Sequence, residues 1–129
     1  GWPISSYGEH YAKNYSEKIL KEAPLNKSHK KFGFEEPIKY FDPSIGISQT
    51  ISLNEADTEF FVGAMGNEIA DQDLGLHYIK LNEKRDKVID HDYFLLNERV
   101  RDMVVSKDKK IIIIFLESTS SISILRKKS

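Results

Sequence analysis

The sequence predicts an all-β fold. About seven short runs with the apolar content or the alternation of β-strands lie between residues 45 and 126, roughly 10–13 residues apart. Polar segments that suit turns separate these runs, and no GxGxxG or GxxxxGKS/T motif indicates a nucleotide-binding α/β domain. Regular short strands are typical of sandwiches, barrels and propeller blades. As propeller blades, seven strands would make one blade of four strands and a second blade that lacks one.

The composition is that of an ordinary globular domain. The 129 residues are 40% hydrophobic and 30% charged, with a formal net charge of −1, which fits one small domain. This charge balance argues against a basic nucleic-acid-binding surface, and no apolar run is long enough for a membrane-spanning helix. The absence of cysteine excludes disulfides, thiol nucleophiles and cysteine-ligated zinc.

The first third of the chain differs from the rest. Residues 1–36 are rich in Tyr, Lys, Ser and Glu and hold no strand-like run. Apolar residues recur at roughly helical spacing between residues 9 and 23, and Pro24 follows as a helix stop would require. A short helix and a long surface excursion with a helical turn both fit this pattern. The chain begins with Gly1-Trp2-Pro3, without an initiator Met or a signal region, which predicts a processed or partial chain.

The β pattern begins after residue 37, and four strand candidates come first. Residues 45–53 alternate weakly between polar and apolar side chains. Residues 59–65 form a compact apolar run that contains Gly63. Residues 74–81 alternate cleanly, as expected of a half-buried strand, and residues 87–96 hold the fourth candidate.

Three further candidates complete the set. Residues 100–105 are followed by the charged segment 107–110, which suits a turn. Residues 111–116 are the strongest strand candidate because four consecutive β-branched isoleucines favour extended backbone. Residues 121–125 alternate polar and apolar side chains before the basic end of the chain.

Several short motifs follow one another along the chain: GWP at residues 1–3 with SYG at 6–8, EP at 36–37 with PSI at 43–45, FFVGAM at 60–65, RVRD at 99–102 and SKD at 106–108. In order and spacing they resemble the motifs of the sugar dehydrogenases that depend on pyrroloquinoline quinone (PQQ), the glucose/sorbosone dehydrogenase family. The resemblance implies an all-β fold of about two blades of a six-bladed β-propeller. Residues 1–129 would be its C-terminal part, with 1–36 a loop-rich lead-in and 37–126 the blades.

The resemblance also implies a chemistry. Family members hold PQQ and calcium near the propeller axis, oxidise the C1 hydroxyl of an aldose sugar, and pass electrons to an acceptor. Their general base and the calcium ligands lie upstream of the GWP segment, so neither is in this sequence. We therefore expect this chain to be inactive alone and to need the N-terminal propeller portion as a partner. The family is usually exported, which implies a periplasmic or secreted location.

Two arginines can be carried over from the family motif. The RxRD arginines, which face the cofactor, are Arg99 and Arg101 here, and guanidinium groups are permanently charged, bidentate partners for the carboxylates of PQQ. In a strand, residues i and i+2 project to the same face, so both could reach one anion while Val100 points the other way. The alternative is that Arg99 and Arg101 lie on the surface and form ion pairs with Glu98 and Asp102.

Two other features bear on the resemblance. Family members usually carry a lysine that contacts the quinone after the VGAL-type strand, and Gly66 stands at that position. This departure puts the cofactor geometry in question. Tyr40 and Phe41 are weak candidates for lining the sugar site, because the family tends to place aromatic residues there.

The remaining chemistry-bearing residues favour structural roles. His77 lies inside a strand and is expected to be packed, whereas the Asp90-His91-Asp92 triplet is expected to form a solvated turn. The acidic segment that contains Asp71 and Asp73 lacks the spacing of a calcium loop and predicts a solvated loop. A non-catalytic alternative also stays open, because a partial propeller has open sheet edges and an exposed apolar face that would bind a partner or a second copy.

Overall fold

The computed structural model describes residues 4–8, 16–22 and 24–127. The chain divides into two units, residues 1–43 and residues 44–129. The described part of the first unit contains one short helix, α1 (Glu17–Glu22), and a 3-10 turn at Lys30–Phe32. The predicted helix between residues 9 and 23 is therefore seen only in its second half, since residues 9–15 and 23 lie outside the described residues. Residues 1–3 of the GWP segment lie outside them as well.

All described strands belong to the second unit. They are β1 (Ile47–Ser52), β2 (Glu59–Ala64), β3 (Gly75–Leu81), β4 (Val88–Leu95), β5 (Val100–Val105), β6 (Ile111–Leu116) and β7 (Ser121–Arg126). Each coincides with a predicted run to within two residues at either end. A 3-10 turn that the sequence did not predict, Ile69–Asp71, lies between β2 and β3.

The strands form two antiparallel sheets. The first sheet has the order β1-β2-β3-β4 and the second the order β5-β6-β7, so every strand pairs with its sequence neighbour within each sheet. The described residues form no closed barrel. One four-stranded and one three-stranded sheet confirm the predicted fold class, because they match one complete blade and one blade that lacks a strand. Among the described residues, no helix has the length and apolar run needed to cross a bilayer.

Four of the five hairpin loops share one geometry, and the exception is the longer loop between β2 and β3. In each of the four, the N–H of the fourth loop residue donates to the carbonyl of the first, at 2.9–3.3 Å. That fourth residue has a left-handed backbone, with φ between 51° and 58°. These residues are Asp57, Arg85, Lys109 and Ser120. A tight turn of this form explains why polar segments of four residues suffice to reverse the chain.

The core lies between the two sheets, where β5 packs against β1 and β2. Its buried members are Ile51, Leu76, Val100, Met103 and Ile114. Burial of an aliphatic side chain of this size stabilises the fold by about 1.5–3 kcal/mol. The core therefore draws on both sheets and holds them together as one unit.

The sheets approach most closely at Gly63 of β2. A Cβ at this position would lie 2.8 Å from Cγ1 of Val100 and 2.7 Å from Oγ of Ser48. Both distances are shorter than van der Waals contact allows, so this position requires glycine. The small residue inside the predicted apolar run of β2 is thus explained by the second sheet lying against it.

The second sheet has an apolar outer face. Strand alternation turns Met103 and Ile114 into the core and their neighbours outward. The outward side chains are Val104, Ile111, Ile113, Phe115, Ile122 and Ile124, which the register between the three strands places on one side of the sheet. Ile122 and Ile124 are 61% and 55% exposed. We call this surface the outer face of the second sheet.

The first unit is organised around the carboxylate of Glu36. It accepts hydrogen bonds from the Tyr7 hydroxyl, from the backbone N–H of Lys30 and from the Ser28 hydroxyl. The Tyr7 hydrogen bond is the main cause that lowers the pKa of Glu36 to about 2. The same bond raises the pKa of Tyr7. The ring of Tyr7 also stacks on Tyr40, with 4.3 Å between centroids.

Candidate functional site

Arg99 and Arg101, the two predicted arginines, flank Val100, which is the most deeply buried residue of β5. Val100 is 0% exposed and packs in the core, whereas Arg99 and Arg101 lie on either side of it and turn outward. Arg99 precedes the first residue of β5, and the register against β6 shifts between Val100 and Asp102. The directions of the two arginine side chains are therefore determined by the buried Val100 between them and by a β-bulge, and not by regular strand alternation.

Both guanidinium groups bind the same carboxylate, that of Glu117. Nη1 of Arg99 lies 3.0 Å from Oε1, and Nη1 of Arg101 lies 3.4 Å from Oε2. Arg99 is held further by its Nε, which donates to the carbonyl oxygen of Met65 at 3.0 Å. The two side chains thus converge on one anion that belongs to the chain itself, and their role toward a cofactor stays a prediction.

The cluster carries a net positive charge, since two guanidinium groups face one carboxylate. The side chains of Arg99 and Glu117 are 36% and 37% exposed, and that of Arg101 is 65% exposed. At such exposure each ion pair contributes only about 0–1 kcal/mol. The arginines can therefore exchange Glu117 for another carboxylate at little cost in stability.

The predicted alternative partners do not pair with the arginines. Glu98 accepts the backbone N–H of Ser118, and Asp102 accepts the N–H of its neighbour Met103 and the side-chain amide of Gln49. The alternative was therefore wrong in naming Glu98 and Asp102 as the partners of the arginines, because it considered only residues next to them in the sequence. Glu117 was missed, although pairing of β5 with β6 would have placed it beside Arg99, whose carbonyl accepts the Glu117 N–H.

The Gly66 position is filled by a neighbouring carboxylate. A Cβ on Gly66 would lie 1.6 Å from Oδ2 of Asp73. Asp73 is only 5% exposed, and its carboxylate accepts the backbone N–H groups of Asn67 and Glu68. The prediction of a solvated acidic loop is therefore wrong for Asp73, which turns inward to satisfy these N–H groups. A side chain at position 66 is excluded by that arrangement.

Comparison with known families decides the identity. The family model described as Glucose / Sorbosone dehydrogenase matches residues 1–126. The chain belongs to the glucose/sorbosone dehydrogenase family. Searches of curated proteins and of solved structures found no match.

Because the chain belongs to the glucose/sorbosone dehydrogenase family, the arginine cluster can be compared with the cofactor of that family. The family depends in general on PQQ, a tricarboxylate. Two guanidinium groups that hold one carboxylate through separate oxygens are a donor set that fits such a group. In the part of the chain that the structure describes, no three acidic or imidazole side chains come together.

The two aromatic candidates for the sugar site lie in the first unit. Tyr40 is 51% exposed and stacks on Tyr7. Phe41 is half-buried, and the Nζ of Lys39 lies 5.0 Å from the centroid of its ring. Their role toward a sugar stays a prediction.

His77 is a packed histidine, as its strand position predicted. It is 1% exposed, its Nε2 lies 2.7 Å from the carbonyl of Gln72, and its Nδ1 lies 3.0 Å from Nε2 of His91. Because a carbonyl only accepts, Nε2 of His77 carries a proton. His91 was expected in a solvated turn, which is wrong: it lies within β4, because pairing with β3 continues through the whole acidic triplet.

Proposed function

We propose that this chain is part of a PQQ-dependent aldose dehydrogenase that oxidises the C1 hydroxyl of a sugar, with Arg99 and Arg101 binding a carboxylate of PQQ. The observation that carries the proposal is the convergence of both guanidinium groups on the single carboxylate of Glu117. A site that holds one carboxylate in this way is suited to hold another. Family membership supports PQQ as the source of that carboxylate.

The role of this chain is to bind and orient rather than to move protons. When bound, PQQ would supply the quinone that accepts a hydride from the sugar. Arg99 and Arg101 would fix the position of its carboxylate, because planar guanidinium groups impose direction as well as charge. The hydrogen bond from Arg99 to Met65 holds that guanidinium in place before a ligand arrives. Gly66 contributes no cation, so the orientation would depend on the arginines.

The reaction needs more than this chain provides. The family resemblance places the general base and the calcium ligands in a propeller portion that this sequence does not contain. We therefore propose that the chain alone binds but does not oxidise, and that it acts with that portion, calcium and an electron acceptor. By the same resemblance, Tyr40 and Phe41 would contact the sugar, and the complete protein would be periplasmic or secreted.

Titration of PQQ into the purified chain tests the binding role. The wild-type chain should bind PQQ, and Arg99→Ala and Arg101→Ala should each weaken binding by about tenfold, the loss of one charge-assisted contact. Arg85→Gly is the matched control: it also removes a guanidinium, from a hairpin turn whose left-handed backbone suits glycine. Equal binding by all four folded proteins, or none by the wild type, would overturn the proposal.

A second candidate function is a non-catalytic module that binds a partner or a second copy of itself. The observation that favours it is the outer face of the second sheet, where Ile122 and Ile124 are more than half exposed. Among the described strands, β7 is also at the edge of its sheet and pairs on one side only. Exposed apolar faces and open edges are typical of surfaces that another chain covers. Association that depends on protein concentration, without PQQ binding, would favour this candidate.

A further inference from the structure

A cleft lies at the end of the sheets opposite to Arg99. The two sheets leave it between them, with a volume of 370 Å³. It is bounded by the end of β1, the beginning of β2, the turn between β5 and β6, and the end of β7. Arg99 precedes β5 whereas this turn follows it, so the cleft and the arginine cluster share no residue.

The floor of the cleft is apolar. It is formed by Leu53, Phe61, Ile112 and Leu125, which come from both sheets. Leu53, Phe61 and Ile112 also pack against the core, so the floor continues the hydrophobic interior up to the surface. Leu125 is 41% exposed. An apolar body lying on this floor would cover side chains that the two sheets leave partly exposed to water.

The rim of the cleft is cationic. Lys110 lies two residues before Ile112, and Lys127 lies two residues after Leu125, so alternation places each lysine on the same side as the apolar residue near it. The two strand ends are joined, because the N–H of Lys127 donates to the carbonyl of Lys110 at 2.9 Å. In the described chain, neither lysine has a carboxylate within 4 Å.

The acids at and beside the cleft are fewer than its basic residues, which are Lys109, Lys110, Arg126 and Lys127. Glu59 lines the cleft but forms an ion pair with Lys80 at 3.7 Å. Glu55 and Asp108 line an adjoining pocket, where Asp108 accepts hydrogen bonds from the Ser106 hydroxyl and the Lys110 N–H. Lys109 also lines the cleft, and its Nζ donates to the carbonyl of Ser52 at 3.3 Å. The rim therefore keeps an excess of positive charge above an apolar floor.

We propose that this cleft binds an amphipathic carboxylate, with the apolar chain between the sheets and the carboxylate at Lys110 and Lys127. A small polar anion would leave the floor exposed, and an uncharged apolar molecule would leave the lysines unpaired. A volume of 370 Å³ falls in the range of about 300–1,000 Å³ that is usual for small-molecule sites. The inference is independent of the proposed dehydrogenase function.

Calorimetric titration with decanoate tests the proposal. The wild-type chain should bind decanoate, whereas acetate and 1-decanol should each bind at least tenfold more weakly, since one lacks the apolar chain and the other the charge. The double variant Lys110→Gln/Lys127→Gln should lose about tenfold in affinity. The control Lys84→Gln/Lys107→Gln makes the same charge change at exposed positions outside the cleft and should bind as the wild type does.

Two further variants separate the parts of the site. Leu125→Thr replaces an apolar side chain of the floor with a polar, β-branched one that suits a strand, and it should weaken decanoate binding. Lys109→Gly should weaken decanoate binding because it removes a positive charge from the rim. The turn should persist, since glycine readily adopts the φ of 57° found at this position. Binding of decanol as tight as decanoate, an equal loss in the control pair, or no binding by the folded chain would each overturn the proposal.

Discussion

At the scale of single residues, Glu117 decides how available the arginine pair is. Its carboxylate occupies the position between Arg99 and Arg101 that an external anion would take. Glu117→Gln removes the competing charge, so affinity for PQQ should rise a few-fold, in line with about 0–1 kcal/mol for exposed ion pairs. Calorimetric titration measures this change.

The matched control for that prediction is Glu98→Gln. Glu98 carries the same charge nearby but binds the N–H of Ser118 instead of the arginines. If Glu98→Gln raised the affinity for PQQ equally, the effect would be one of overall charge rather than of competition. No gain with Glu117→Gln would contradict the prediction outright.

The loop around Gly66 gives a second prediction at this scale. Gly66→Lys, the residue expected from the family pattern, should lower the free energy of unfolding by about 1–3 kcal/mol, as overpacking does. The cause is the carboxylate of Asp73, which occupies the space of the new Cβ. Chemical denaturation measures the loss. Asn67→Lys, at the next and exposed position, is the control and should stay near wild-type stability.

The hydrogen bond between Tyr7 and Glu36 predicts a dependence on pH. The pKa of Glu36 is lowered to about 2 in the folded chain, so its contribution to stability is present above the ordinary pKa of glutamate and is lost as the pH falls through about 2. Tyr7→Phe should raise the pKa of Glu36 toward its ordinary value, as an NMR titration of the carboxyl group would show. Tyr40→Phe makes the same change on the stacked ring and should leave that pKa unchanged.

Which residues carry the site could be predicted from the sequence only in part. Arg99 and Arg101 could be proposed because they stand in one contiguous motif. Glu117 and the inward turn of Asp73 were missed, because each depends on a partner that is distant in the sequence or on backbone N–H groups that leave no pattern in it. The type of each side chain predicted which groups it could bind, whereas the pairing of the strands determined which partner it contacts.

At the scale of elements, the strands were predictable because their period of two is imposed by the buried core.

Ile114→Ala should lower the free energy of unfolding by about 2–5 kcal/mol, since Ile114 is 1% exposed and its loss would leave a cavity. Ile122→Ala is the matched control on the neighbouring strand, where the side chain is 61% exposed, and should cost much less. Similar losses for both, measured by chemical denaturation, would contradict the described burial.

Irregular elements were not predictable in the same way. The 3-10 turns at Lys30–Phe32 and Ile69–Asp71 have three residues each, too few to show a period. The bulge in β5 near Arg101 leaves the polar and apolar order of the strand unchanged, because it alters only the register with β6. Periodicity therefore identified the strands but not the local shifts that aim the arginines.

At the scale of the whole molecule, the number of strands correctly indicated two sheets, and the outer face of the second sheet is the feature with consequences for assembly. Ile122 and Ile124 should promote association between chains, because they expose apolar surface on an edge strand. Ile122→Thr/Ile124→Thr keeps β-branched residues and should reduce any concentration-dependent association seen by sedimentation velocity. Val88→Thr, on the first sheet, serves as the control.

The close approach at Gly63 has a geometric consequence. The two sheets touch where β5 meets β1 and β2, and near Leu125 of β7 the cleft keeps them apart. Together they form a tapered sector, narrow at the glycine and wide at β7. Sectors of this kind can close into a ring only if their angles add up to a full turn. A methyl group at position 63 would widen the narrow side, so it would change the angle of the sector as well as the contact between this pair of sheets.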